Sequence, residues 1–243
     1  MFNILYKKSD VYKESVKLYM YNEKCFRLIR FKALRQKGFE DDEKIKKNFK
    51  NDEENKRTNL AHTKSRVREL ALANSFDYFA TITVNSAYGD RFHLDEVQNL
   101  LKKQIRNIRI KNPTFKYLFI TEKHKDGAFH FHGLVKNCDF YINDNGYLSN
   151  KYFDRVGFNS FLKIDDKKDS YFKVCNYITK YITKDCVKNS AGSTYISSRG
   201  LKKAEVFDLP VSFQFEPTFK NDFLSIKDFT DEDYKENFKI FLT

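Results

Sequence analysis

The sequence predicts a mixed α+β fold, and three observations carry that prediction. Within 76–85, Tyr78, Ala80, Ile82 and Val84 alternate with Phe79, Thr81 and Thr83, the period of a strand with one buried face. Residues 115–123 (FKYLFITEK) and 128–135 (AFHFHGLV) read as two further strands with only His124-Lys125-Asp126-Gly127 between them, which makes a hairpin. Between the first strand and the hairpin, Val97, Leu101, Ile105 and Ile108 recur at helical spacing until Asn112-Pro113 stops the run.

The remaining elements follow in chain order. Residues 1–75 mix apolar with basic positions and include a polar run from Lys44 to Arg57, which reads as a basic helical extension over 1–56 without a core of its own. A helix from Asn59 to Ala73 carries Leu60, Val67, Leu70 and Ala71 on one stripe and leads into the main domain, 57–203. Asp95 is placed to cap the helix after the first strand. Residues 171–185 (YFKVCNYITKYITKD) put Val174, Ile178, Tyr181 and Ile182 on one helical stripe, although their β-branched content also suits a strand. Tyr195-Ile196 and a Ser-Ser-Arg-Gly turn come next, then a Phe-rich tail, 204–243, expected to pack on the core.

Length and composition bound the function. With 243 residues, 41% hydrophobic positions, 25 Phe and 15 Tyr, the chain can bury one principal core, so wholesale disorder is excluded. No apolar run approaches the roughly 20 residues of a spanning helix, and MFNILYKKSDVYK has no signal-peptide core, so a cytoplasmic protein with no membrane partner is expected. Cysteines 25, 138, 175 and 186 show no CxxC pairing and read as reduced thiols. The formal charge of +12 points to a polyanion, because each Lys or Arg that displaces a condensed counterion adds sequence-independent affinity. A Lys- and Asn-rich, Trp-free composition also fits AT-rich coding, so charge alone does not name the polyanion.

The chemistry concentrates at the hairpin. Three of five histidines lie between 124 and 132, and His130 and His132, two apart on a strand, share a face where they can converge on one ion. If Lys125-Asp126-Gly127 is a three-residue loop with Gly127 left-handed, His124 opposes Ala128, and Glu122 and Ile120 fall opposite His130 and His132. A two-residue turn would send Glu122 to the other face, so a metal set of Glu122, His130 and His132 depends on this register. Two imidazoles and one carboxylate suit Mg²⁺ or Mn²⁺ with positions left for substrate oxygens. The bland alternative is packed histidines and a solvated carboxylate.

A second constellation is the doubled tetrad Tyr177-Ile178-Thr179-Lys180 and Tyr181-Ile182-Thr183-Lys184. On a helix the two tyrosines lie one turn apart on one side, each with a lysine three residues on. Phenols beside ammonium groups are suited to nucleophilic attack on a phosphate, while the plain reading is an amphipathic helix with packed tyrosines and solvated lysines.

In combination these motifs resemble the HUH endonucleases. Gly127-Ala128-Phe129-His130-Phe131-His132-Gly133-Leu134 resembles their His-hydrophobe-His strand, YITKYITK their two-tyrosine helix, and FDYFATITVN their first core strand. With TYISSRGLKK following, residues 57–203 are most similar to the gene II protein type of rolling-circle replication initiators. The resemblance implies a central antiparallel sheet flanked by helices, related to the ferredoxin-like arrangement. It implies Mg²⁺ or Mn²⁺ on Glu122, His130 and His132, with Tyr177 and Tyr181 as nucleophiles and Lys180 and Lys184 as phosphate-stabilising cations. The implied substrate is single-stranded or hairpin origin DNA, nicked through a 5′-phosphotyrosine link in a bacterial host cell whose helicase and polymerase the protein would need.

Other readings remain open at this level: the same chemistry in a transposase or a mobilisation relaxase, or a non-enzymatic DNA-binding repressor. Residues 153–158 (FDRVGF) suggest no role beyond packing; Arg199 suits either a phosphate contact or a strand end. His124 is a more distant alternative ligand, and His62 and His93 read as surface residues.

Overall fold

A computed structural model of the chain describes residues 10–12, 15–22, 25–31, 35–37, 52–165, 168–183, 194–209, 223–224, 226–229 and 241–242. Its first elements are strands: β1 (Asp10–Tyr12), β2 (Ser15–Asn22), β3 (Cys25–Phe31) and β4 (Arg35–Lys37). There follow α1 (Asp52–Asn74), β5 (Tyr78–Val84), α2 (Leu94–Lys111), β6 (Lys116–Lys123) and β7 (Phe129–Lys136). A small hairpin, β8 (Tyr141–Ile142) and β9 (Leu148–Ser149), precedes β10 (Gly157–Lys163) and α3 (Lys168–Tyr177). The chain continues through β11 (Tyr195–Ser197), β12 (Glu205–Leu209), β13 (Phe223–Leu224), β14 (Ile226–Phe229) and β15 (Phe241–Leu242).

Two compact units result, residues 52–202 and residues 1–51 together with 203–243. The second contains a sheet in which β2 pairs antiparallel with β3 and β12, while β13 and β14 run parallel to β3. The N-terminal extension is therefore not helical where it is described. Val16, Leu18 and Met20 alternate with Lys17, Tyr19 and Tyr21 at period two, and only Glu23-Lys24 separates this run from CFRLIRF. The apolar and basic alternation that suggested helices is the alternation of a hairpin. The tail supplies the hydrogen-bonding partners of these strands.

In residues 52–202 a five-stranded sheet of order β10-β5-β7-β6-β11, antiparallel throughout, carries the three helices of an α+β fold. One face holds Ala80, Ile82, Val84, Phe119, Phe129, Phe131, Val135 and Phe161 and packs on Val97, Leu101, Ile105 and Ile108 of α2. The helical stripe and the strand alternation are complementary, since each buries its apolar set against the other. Asp95 lies in the first turn of α2, behind the N-cap residue His93, whose side chain makes no capping bond. The acidic residue there complements the helix dipole instead of capping it. On the other side, Val67, Leu70 and Ala71 of α1 are buried, and the Tyr171 hydroxyl of α3 donates to the Ala71 carbonyl at 2.6 Å. Among the described residues no helix is long and apolar enough to cross a membrane.

The β6–β7 hairpin has the three-residue loop. His124 N donates to Ala128 O at 2.8 Å, Gly127 N donates to His124 O at 2.9 Å, and Gly127 sits at φ +90°. Glu122 consequently pairs with His130, and Ile120 with His132.

Candidate active site

The sheet face opposite α2 is where the predicted site residues meet. Directly paired residues in antiparallel strands project to the same side. One row across the sheet is therefore Phe158, Thr83, His130 and Glu122, and the next is Ser160, Thr81, His132 and Ile120. α3 and the turn that follows it cover part of this face. Its regular winding ends at Tyr177, and Ile178–Tyr181 tightens into a 3₁₀ turn, shorter than the helix to 185 that the periodicity predicts. β-branched Ile178, Thr179 and Ile182 crowd an α-helical turn, and the Thr179 hydroxyl donates to the Asn176 carbonyl at 2.6 Å. Ile178 and Ile182 are fully buried and anchor the turn. Tyr177 and Tyr181 are left facing the same way, with the Tyr181 hydroxyl donating to that of Tyr177 at 2.9 Å.

The tyrosines stand over the histidine strand. The ring of Tyr181 stacks on that of His132, with centroids 3.7 Å apart, and Phe79 packs beneath both tyrosines, 5.7 Å from Tyr177 and 6.3 Å from Tyr181. Nε2 of His132 lies 3.0 Å from Oε2 of Glu122. Behind the imidazoles, the Thr81 hydroxyl is 3.4 Å from Nδ1 of His132, and the Thr83 hydroxyl 3.2 Å from Nδ1 of His130. Lys180 Nζ stands 5.5 Å over the Tyr177 ring. Its sequence companion Lys184 lies outside the described residues, as does Cys186.

Burial governs the protonation of the cluster. It pushes His132 down to about 4, with the neighbouring His130 a lesser cause, so the imidazole is neutral at physiological pH. His130 is also lowered, first by burial and then by the charge of His124. Glu122 is raised by burial, which His124 and Lys180 partly offset. Tyr181 is raised by burial, by its bond to Tyr177 and by the nearby Tyr177 and Glu122 oxygens.

These residues suit a divalent cation in chemistry and facing. Both imidazoles have Nδ1 beside a threonine hydroxyl, which leaves Nε2 as the ligating atom, and the carboxylate is within 3.0 Å of one of them. Only Glu122 and His132 of the three touch, while the His130 ring lies 5.1 Å from that of His124. Among the described residues no group of three His, Cys, Asp or Glu side chains is already gathered as a metal cluster.

His62 and His93 are exposed, as expected. Thr81 and Thr83 escaped the sequence reading, although their alternation with Ile82 already put them on the face away from the core; what the sequence withheld was that β5 pairs with β7. Phe158 also departs from expectation. Phe153 in the same segment is fully buried, but Phe158 is 44% exposed on the site face.

A sheet carrying a carboxylate and two imidazoles under a hydrogen-bonded tyrosine pair defines a protein built for chemistry on a phosphate ester. In agreement, residues 77–186, a little under half of the chain, match the family model described as replication-associated protein ORF2/gene II protein, which supports a replication-associated protein. No curated protein and no solved structure gives a significant match.

Proposed function

We propose that the protein starts rolling-circle replication by nicking and rejoining single-stranded or hairpin origin DNA through a covalent tyrosine intermediate. The observation that carries this reading is the Tyr177–Tyr181 pair seated on His132, itself in contact with Glu122. The family match over the same residues supports it.

Glu122, His130 and His132 would hold Mg²⁺ or Mn²⁺, which supplies Lewis-acid polarisation of the scissile phosphodiester when bound. The chain's own groups account for the rest. A tyrosine oxygen attacks phosphorus as its proton leaves; the bond from phosphorus to the 3′ oxygen breaks, and that oxygen takes up a proton. The products are a 5′-phosphotyrosine and a free 3′ hydroxyl able to prime a host polymerase. The second tyrosine repeats the transfer on the displaced strand, which a host helicase would expose. Lys180, beside Tyr177, places positive charge where the phosphoryl oxygens gain negative charge. Lys184 is proposed for the same role from its place in the second tetrad. The two stacked rings restrict where the nucleophile can travel, which favours in-line attack.

The test is covalent trapping. The protein is incubated with single-stranded circular DNA of its own replicon and Mn²⁺, denatured and resolved on a gel. A protein–DNA adduct that EDTA abolishes and that maps to Tyr177 or Tyr181 is expected. Tight binding without any adduct would instead identify a non-enzymatic DNA-binding repressor.

A further inference from the structure

Phe158 belongs to the row that carries the histidine and the carboxylate. It pairs with Thr83, Thr83 pairs with His130, and His130 pairs with Glu122. At the usual strand spacing Phe158 lies two strands, about 10 Å, from His130 on the same face. β10 is an edge strand, and its core-facing Phe161 is buried to 3% exposure while Phe158 stays 44% exposed. Tyr147, in the turn between β8 and β9 and 51% exposed, meets Phe158 edge to face with centroids 5.4 Å apart at 89°. That geometry leaves ring faces open to a third planar group.

The mount is firm. Asn143 Oδ1 accepts from Tyr147 N at 2.9 Å, and the Ser149 hydroxyl donates to the Asn159 carbonyl of β10 at 2.9 Å. The row itself is polar, and charges of the sign that attracts phosphates bracket it. Lys180 lies over Tyr177, and the charge of Arg91 acts on His130. An apolar protein segment would bury Glu122, His130 and Thr83 against nothing that satisfies them, whereas a nucleic-acid strand matches both the rings and the charge.

We propose that the Phe158–Tyr147 pair is a base-stacking subsite that holds a nucleotide flanking the phosphate presented to Tyr177 and Tyr181. The subsite rests on the nicking reading for its place along the DNA, but not for its existence. Stacking tolerates any base, because each has a π-face, so the pair would fix the strand's path more than its sequence.

The chain contains no tryptophan, so Phe158→Trp introduces a single fluorescent reporter. Titrated with a short oligothymidine in EDTA, F158W should be quenched, and the same duplex sequence should quench it far less. Phe158→Ala should weaken oligothymidine binding about tenfold with an unchanged salt slope, since no phosphate contact is lost, and Phe158→Tyr should restore it. Wild-type binding by F158A together with an unquenched F158W would overturn the subsite and leave the nicking reading intact. Quenching in a protein that never forms a tyrosine adduct would keep the subsite and sink the nicking reading. Failure of the wild-type chain to bind oligothymidine would sink both. Should F158A instead change only the sedimentation of the free protein, the pair would belong to self-association and the proposal would fail.

Discussion

The imidazole of His132 and the phenol ring of Tyr181 lie 3.7 Å apart and within 12° of parallel. This stack makes the two tyrosines chemically unequal. Tyr181 is partly buried, donates its hydroxyl proton to Tyr177, and is raised above the usual phenol range. Tyr177 is the acceptor in that bond and is 47% exposed.

The first covalent adduct should therefore form on Tyr177. With a short single-stranded substrate and one turnover, Tyr177→Phe should reduce adduct by on the order of a thousandfold, because the attacking oxygen is gone. Tyr181→Phe should keep the first adduct and lose the second transfer that closes the displaced circle. Peptide mapping of the trapped species decides the order: an adduct on Tyr181 in the wild-type protein would reverse it.

Thr81 and Thr83 should act as positioning residues for the metal ligands. Their hydroxyls lie beside Nδ1 of His132 and His130, and outer partners of this kind typically change metal affinity about 10–100-fold, a range expected here for Thr81→Val. Thr81→Ser should restore most of the loss, since it keeps the hydroxyl. Mn²⁺ titration followed by electron paramagnetic resonance reads the affinity directly, without turnover.

The pH dependence of Mn²⁺ binding should be unusually flat. Two ordinary imidazoles titrating near 6.5 would lose about 100-fold in affinity between pH 7.5 and 5.5, because protons compete for both ligating nitrogens. Here the folded protein holds His132 at about 4 and lowers His130, so the neutral ligating forms persist as pH falls. Glu122 shifts the other way: its raised carboxyl takes up a proton earlier than an ordinary glutamate. A loss of less than about tenfold over this window is expected, with a one-proton slope at its acid end. Calorimetric Mn²⁺ titrations at several pH values would expose a two-proton loss if the imidazoles were ordinary.

Local signals made the hairpin legible in the sequence. A left-handed glycine after Lys125-Asp126 sets the loop, the loop sets the register, and the register puts Glu122 and His130 opposite one another. The tyrosine pair was legible as well, since four residues bring two side chains to one side whether the winding is α or slightly tighter. Pairing between distant strands was not. Nothing near Thr81, Thr83 or Phe158 announces that β5 lies between β7 and β10, so their membership of the site face waited for the sheet order. The N-terminal strands failed for another reason. Apolar and basic residues in short runs fit both a helical and a two-residue period, and the strand partners of β2 and β3 include segments far along the chain, in β12 and β14.

Gly133 tests the packing that supports the site. It directly follows His132 and pairs with Phe119, whose ring occupies the space a side chain at 133 would need. A Cβ there would also stand 2.9 Å from the Leu118 carbonyl. Phe119 cannot retreat freely, because it is fully buried, stacked 6.1 Å from Tyr117 and in edge contact with Phe153 at 5.9 Å. Gly133→Ala should consequently destabilise the protein by about 3 kcal/mol, the upper range for forcing one methyl into a filled core. Phe119→Leu alone should also destabilise, by removing ring contacts. Combined, the two changes should cost less than the sum of the separate losses, since the smaller side chain relieves the clash, and the coupling should exceed about 0.5 kcal/mol. Urea unfolding of the four proteins measures that cycle, and strictly additive losses would mean that the ring of Phe119 is not what excludes a side chain at 133.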